Sequence, residues 1–372
     1  MDIILISVIA LVALALIFDF TNGFHDAANS IAAIVATKTL PAKWAPLFAA
    51  FFNFIAYFIV GTAVADTVAK TVKHDYVSIA IIFAALFSAI AWNYFTWRVG
   101  MPSSSSHAIL GGLIGAGIAA GGIEAIAWSS AQKALLGIVL SPIVAFSIAF
   151  IVMWIILLIQ KIFKMRDSHP VFKGTQLVTS AAVSFGHGAN DAQKTMGVIA
   201  ALLLAAGYTV MDGSNVLVPE WVALSAYSVI ALGTLWGGWK IIQTMGLKLT
   251  KLHANSGAAA DIGASVSIFG ATAVGMPIST TQACATAIVG AGAASRGGMN
   301  WKVIGQMLLA WAITIPSTVA IAFGVYELTR LPVVWASISI TIVVSLFTAW
   351  AIYAMRHTIR AKDVEQELAE VG

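Results

Sequence analysis

The sequence predicts an all-α, polytopic membrane protein made of two inverted-topology repeats, with broken helices and re-entrant half-helices at their polar centres. Three observations predict it. The chain of 372 residues is 60% hydrophobic and only 10% charged, where a soluble protein carries roughly a quarter charged residues; its mean hydropathy is +0.92. Apolar stretches of about 20 residues, long enough to cross the hydrocarbon core, recur at Trp44–Ala65, Val77–Trp97, Leu135–Ile159, Trp221–Ile242, Val303–Leu328 and Val333–Met355. Two polar motifs each occur twice, in the same order, inside this apolar background.

The first apolar stretch, Ile3–Phe18, lacks a basic start and a small-residue cleavage site, so it reads as a span and not as a removable signal peptide. Met1–Lys38 is too long for a single span, and Asp19-Phe20-Thr21-Asn22-Gly23 is the expected break, because Asn-Gly punctuates helices. Such a break is tolerated at depth only where backbone lines a polar cavity. It places Asp26 of "FHDAANS" near the start of a half-helix. Further on, Gly100-Met101-Pro102 ends one helix, and Pro102 pre-sets the first turn of the next, which Ser104, Ser105 and Ser106 fill. A basic linker with Lys161, Lys164, Arg166 and Lys173 follows Leu135–Ile159. Then the pattern restarts. "GANDAQK" (188–194) has its break expected at Gly186-His187-Gly188, and "GMPISTTQ" puts Ser279, Thr280 and Thr281 behind Pro277.

Gly23, Asp26 and Ser30 align with Gly188, Asp191 and Thr195 at an offset of 165, and Ser104–Ser106 align with Ser279–Thr281 at an offset of 175. Duplication with a short insertion explains both. The expected organisation is a first repeat over 1–160, a cytoplasmic linker over 161–173, a second repeat over 174–330, and an extra span with a tail over 331–372. By the positive-inside rule the linker, Lys248 and Lys251, and the tail with Arg356, Arg360 and Lys362 face the cytoplasm, while 207–220 and the surroundings of Glu124 face outside. Threading these sides gives five crossings per repeat, an odd number, so the copies must be inverted. A net charge of +4, carried in loops, fits membrane topology and not nucleic-acid binding. The lone Cys284 excludes an intramolecular disulfide.

A helix start has unpaired N–H groups and partial positive charge, which favour an anion. Two such starts, behind Pro102 and Pro277, could converge on one tetrahedral oxyanion near the midplane. Plainer roles stand beside this. Ser and Thr at a helix start are ordinary caps. Asp26 and Asp191 could be caps or packing ion pairs, although charge inside a membrane is expensive and functional by default. Lys194 could merely neutralise Asp191, and His25, His107 and His187 could simply be hydrogen-bonded. Gly111/Gly115 and Gly117/Gly121 read as helix-packing faces, and the tryptophans at span ends as interface anchors.

"GFHDAANSIA", "GANDAQKTMG", "GMPSSSSH" and "GMPISTTQ" resemble the duplicated signatures of the inorganic phosphate transporter (PiT) family, over about 18–311. The Lys of "GANDAQK" resembles the bacterial branch. The resemblance implies a secondary transporter of inorganic phosphate in the cell membrane, multi-pass, coupled to H⁺ or Na⁺. It implies phosphate binding by the hydroxyl runs 104–106 and 279–281, and cation or proton coupling by Asp26, Asn29, Asn190 and Asp191. Departures from the pattern are His25 opposite Asn190, Lys194 opposite Asn29, and Gln282 opposite His107, with Asp261 as the shortened counterpart of a family Glu. Lys194 puts a fixed cation where a second Na⁺ ligand would stand, so H⁺ symport is expected, with Na⁺ symport or metal-phosphate with H⁺ as alternatives. No cofactor or resident metal is expected; the partners are phosphate and the lipid bilayer, with a homodimer as one option. An anion channel also uses broken helices. A Ser–His hydrolase built on Ser103–His107 is disfavoured, since adjacent residues on one helical turn do not form a nucleophile–base pair.

Overall fold

The computed structural model describes residues 3–167 and 169–371. Twelve of its helices fall into two matching sets. The first is α1 (Ile3–Ala36), α2 (Ala45–Ile55), α3 (Ala63–Ala69), α4 (Ile79–Val99), α5 (Ser105–Gly121) and α6 (Trp128–Phe163). The second is α7 (Pro170–Ala205), α8 (Glu220–Trp236), α9 (Trp239–Gln243, continued by a π-turn over Thr244–Lys248), α10 (Ala254–Ala273), α11 (Thr280–Ser295) and α12 (Trp301–Thr329). Two more helices follow, α13 (Val333–Arg356) and α14 (Ala361–Val371). In each set the second and third helices meet at a sharp bend, 87° in the first and 66° in the second.

The fourth and fifth helices of each set form a hairpin. The base of α4/α5 is tied by the Val72–Ile126 bridge and by Lys73 N–H donating to Ala125 O at 2.9 Å. The base of α10/α11 is tied by the Thr250–Met299 bridge and by Asn300 N–H donating to Leu249 O at 2.9 Å. These bases lie at opposite ends of α7. Near its start, Gln176 Oε1 accepts from Thr37 and Thr39 at 2.8 and 2.7 Å, and Asn255 donates to Gln160 Oε1 at 3.0 Å. Beyond its finish, Val216 N–H donates to Asp66 Oδ1 at 2.8 Å. The repeats are therefore inverted.

The two hairpin tips meet. Ser106 Oγ, in the first turn of α5, donates to Ile278 O just before α11 at 2.6 Å. Hairpins that enter from opposite ends can touch tip to tip only if neither crosses. The five crossings expected per repeat are thus three (α1, α2, α6 and α7, α8, α12) plus one re-entrant hairpin. The parity is unchanged, so the inversion holds. Length and apolarity do not separate a hairpin arm from a span, because both are surrounded by apolar groups. What turns the chain is Gly100 at φ 73° and Gly275 at φ 63°, left-handed conformations that glycine adopts without steric cost.

Two expected breaks are absent. α1 runs unbroken through Asp19–Gly23, and α7 through Gly186–Gly188. The glycines serve close helix approach instead. A Cβ on Gly23 would sit 2.4 Å from Ile230 O, and one on Gly188 would sit 2.4 Å from Asn53 O. Asp26 and Asp191 accordingly lie inside long helices and not at helix starts. The sets also interlock. α6 packs on α10 and α11, and α12 packs on α4 and α5, so each repeat's last helix braces the other's hairpin.

Candidate functional site

The centre of the molecule is where α1, α7 and the tips of α5 and α11 converge. Asp26, Asn29, Ser106, Asp191, Lys194, Thr280 and Thr281 meet there, none more than 6% exposed. Each side chain is placed by its helical register. From α11, Thr280 Oγ1 donates to Asp191 Oδ2 and Thr281 Oγ1 to Asp26 Oδ1, both at 3.1 Å. Both hydroxyls accept from Asn29 Nδ2, at 3.2 and 3.1 Å. Lys194 Nζ donates to Asp191 Oδ1 at 2.5 Å, to Ile278 O at 2.9 Å, and to Ser106 Oγ.

The matched positions divide the work. His25 and Asn190, at equivalent places, both anchor the hairpin of their own repeat. His25 Nδ1 donates to Asp26 Oδ1 at 2.6 Å, and its Nε2 lies 3.0 Å from Thr96 Oγ1 and 3.4 Å from Ser103 Oγ. Asn190 Nδ2 donates to Thr272 Oγ1 at 2.9 Å and Met276 O at 3.3 Å, and its Oδ1 accepts from Ile278 N–H at 3.3 Å. Asn29 and Lys194, three residues after each Asp, reach the hairpin of the other repeat, and Lys194 also bonds to Ile278 of its own. One helical turn thus ties both hairpins to one carboxylate.

The six hydroxyls of the two runs also differ. Ser104 caps α5 by accepting from His107 N–H at 3.2 Å, and Ser279 caps α11 by accepting from Gln282 N–H at 3.1 Å. Ser105 Oγ is buried and has no hydrogen-bond partner among the described residues. The remaining three are engaged at the centre. His187 sits between Asn53 Oδ1 at 3.2 Å and Asp191 Oδ2 at 3.5 Å. With Asp26 and Asp191 it offers three ligand atoms within 4.8 Å of one another, a set that could hold a cation. The His107 ring nitrogens and Gln282 Oε1 are buried without hydrogen-bond partners. Asp261 stands apart from this cluster, on α10, where it accepts from Thr179 Oγ1 at 3.4 Å.

Sequence reasoning missed Gln193, whose Oε1 accepts from the N–H groups of Val64 and Ala65 at 2.8 and 3.2 Å and so closes the start of α3. It also missed Thr195, which donates to Asp19 Oδ1 at 2.8 Å. The available signal was the helical spacing of Asp19, Asn22, Asp26 and Asn29, hidden by the expected break.

A model of the phosphate transporter family matches residues 22–170 and 160–322. A "Probable low-affinity inorganic phosphate transporter" from Rhizobium meliloti (strain 1021) is 45% identical, over 84% of this chain and 94% of that protein. Another of the same description, from Bacillus subtilis (strain 168), is 43% identical over 85% of this chain and 95% of that protein. The solved structure entitled "The sodium-dependent phosphate transporter" superposes with a TM-score of 0.77 at 26% identity, over 87% of this chain and 99% of that one.

Proposed function

The chain belongs to the phosphate transporter family, and we propose that it carries inorganic phosphate across the cell membrane by alternating access, in symport with H⁺. It is a transporter and not an enzyme. The observation that carries the transport reading is the meeting of two hairpin tips, one from each inverted repeat, on the carboxylates of α1 and α7. Phosphate would take the first-turn N–H groups of α5 and α11 and the hydroxyls of Ser105, Ser106, Thr280 and Thr281. Ser104 and Ser279 hold those turns. Withdrawal of one hairpin opens the centre to one end while the other hairpin keeps it closed, and the inversion makes the two movements equivalent. The Ser106 hydroxyl is held between Lys194 and Ile278 O, and among the described residues the His107 ring nitrogens hydrogen-bond to no hydroxyl, which supports dismissing a Ser–His hydrolase.

Proton coupling is supported by Lys194. Its ammonium fills a nest of carboxylate, hydroxyl and carbonyl oxygens of the kind a monovalent cation uses. The charge left over at the centre is then a carboxylate, Asp26, which can exchange a proton. Moving one charge inward against the gradient costs roughly 2.3 kcal/mol per 100 mV, so a phosphate monoanion needs at least one cation for neutrality and two for an electrical drive. The Na⁺ reading has its own support in the buried, unpartnered Oδ1 of Asn29 beside Asp26 and in the name of the solved neighbour. Metal-phosphate carriage with H⁺ would draw on Asp26, His187 and Asp191. The basic linker, the base of α10/α11 and the tail lie toward one end, and the positive-inside rule favours that end, with the C-terminus, as the cytoplasmic one.

Phosphate uptake into proteoliposomes under an imposed H⁺ gradient, Na⁺ gradient or no gradient tests this, with arsenate and sulfate as competitors. Saturable uptake driven by H⁺ alone supports symport. Uptake driven only by Na⁺ replaces the coupling ion, and gradient-independent, non-saturable flux overturns transport by alternating access.

A further inference from the structure

The polar stripe of α1 does not stop at the central site. Asp19, Asn22, Asp26, Asn29 and Ser30 follow helical spacing, and α7 answers with Ser184, His187, Asp191, Lys194 and Thr195. The two helices run antiparallel, so Asp19 meets Thr195 while Ser30 meets Ser180. Asp19 lies about 10 Å along α1 from Asp26, toward the end that carries the base of α4/α5. It is fully buried. Thr195 donates to its Oδ1, but among the described residues its Oδ2 accepts no hydrogen bond. Both amide atoms of Asn22, one helical turn away, and the hydroxyl of Tyr227 on α8 are likewise buried and without partners. The charged or titratable groups that bear on Asp19 are Asp191 and Lys194 of α7 and Tyr227 of α8. Lys194 is committed to Asp191, Ser106 and Ile278.

An ionised carboxylate with one oxygen idle in a protein interior is costly, and a proton removes the cost. Two acceptors that are themselves unused belong to the same buried region, Asn22 Oδ1 one turn along α1 and the Tyr227 oxygen on α8. We infer that Asp19 is a second proton-binding site, set to one side of the phosphate centre, which loads the proton that accompanies phosphate. This rests on the H⁺-symport reading above. The step is a reversible protonation: the Asp19 carboxylate takes a proton from the side where its end is open and gives it up after the hairpins exchange.

The test uses full-length protein in proteoliposomes containing a pH dye. Phosphate–phosphate exchange and net uptake under an inward H⁺ gradient are measured in parallel. Asp19→Asn, which keeps an acceptor for Thr195, should carry fewer protons per phosphate and lose stimulation by the gradient while exchange persists. Thr195→Val keeps the carboxyl group but removes its donor. It should move the pH dependence of net uptake toward alkaline values, because a carboxylate that loses a donor holds its proton more tightly. If Asp19→Asn carries as many protons per phosphate as the parent, Asp19 is only a tie between α1 and α7, and the inference is overturned while H⁺ symport stands. If Asp19→Asn does not fold, an unshifted pH profile in Thr195→Val overturns it instead. If the parent itself carries no protons, the H⁺ reading fails and takes Asp19 with it, while phosphate transport remains.

Discussion

Ser105 and Thr280 hold the same position in matched helix starts and are used differently. Ser105 Oγ has no hydrogen-bond partner among the described residues, whereas Thr280 links Asn29 to Asp191. Both should serve phosphate, and a lost hydrogen bond to a charged group costs about 1.5–3 kcal/mol. Ser105→Ala and Thr280→Ala are therefore expected to weaken phosphate binding roughly ten- to a hundredfold, measured by calorimetry. The melting temperature should fall only in Thr280→Ala. A fall in stability with unchanged affinity in both would leave them as plain helix-start residues. In the proposed reading the carboxylates would also supply selectivity. A phosphate that keeps a proton can donate it to Asp26 or Asp191, and fully ionised sulfate cannot. Asp26→Asn is expected to abolish gradient-driven uptake while phosphate exchange continues, read in the same vesicles. Lys194→Asn rebuilds the Asp–Asn pairing of the first repeat. It should lose H⁺-driven uptake or gain dependence on Na⁺, and transport like the parent's under every gradient would make Lys194 a bystander.

At the scale of elements, the helices that carry the aspartates are held by glycine contacts, α1 on α8 and α7 on α2. Gly233 faces the same crossing from the other side, where an added Cβ would come 2.3 Å from Phe20 O. Backbone cannot yield as a flexible side chain can. Gly23→Ala and Gly188→Ala should each destabilise the fold by about 1–3 kcal/mol, the usual range for overpacking a filled interior, seen as a lower melting temperature in detergent. Gly174→Ala, with open space around its Cβ position, is the control and should melt like the parent. The hairpins have glycine contacts of their own, Gly115 on Val319 of α12 and Gly290 on Phe146 of α6, where an added Cβ would come 2.4 Å from a backbone oxygen, and they add the polar ties of His25 and Asn190 near their tips.

For the whole molecule, inversion and re-entry are separate claims with separate readouts. On a Cys284→Ala background, Arg166→Cys and Asn215→Cys should react with impermeant reagents from opposite sides of the membrane. Reaction from the same side would contradict the inverted repeats. Met101→Cys, at the tip of α4/α5, should be protected relative to both, because the tip lies against α12 and α9 through Trp311 Nε1 to Pro102 O at 2.9 Å and Thr244 Oγ1 to Gly100 O at 2.8 Å. Labelling of Met101→Cys as free as that of Arg166→Cys would restore a full crossing of α4 and α5.

Composition and hydropathy by themselves determined that this chain lives in a bilayer, because so few charges cannot cover a soluble surface. The two motif offsets by themselves determined the duplication, and the basic loops, through an odd number of crossings, pointed to its inversion. The motifs also named Asp26, Asp191, Lys194 and both hydroxyl runs, since polar groups stand out where water is absent. Only the tertiary structure decided that Asp19–Gly23 and Gly186–Gly188 are continuous helix. Glycine is both a break and a contact residue, and the partner helix that selects the second use is some two hundred residues away for Gly23, at Ile230. Only the tertiary structure, likewise, showed that α4/α5 and α10/α11 turn back at the centre, that Ser104 and Ser279 are spent as caps, and that Asn190 holds a tip instead of joining the charges. Each of these depends on which group lies across from the residue, and local sequence carries no record of that.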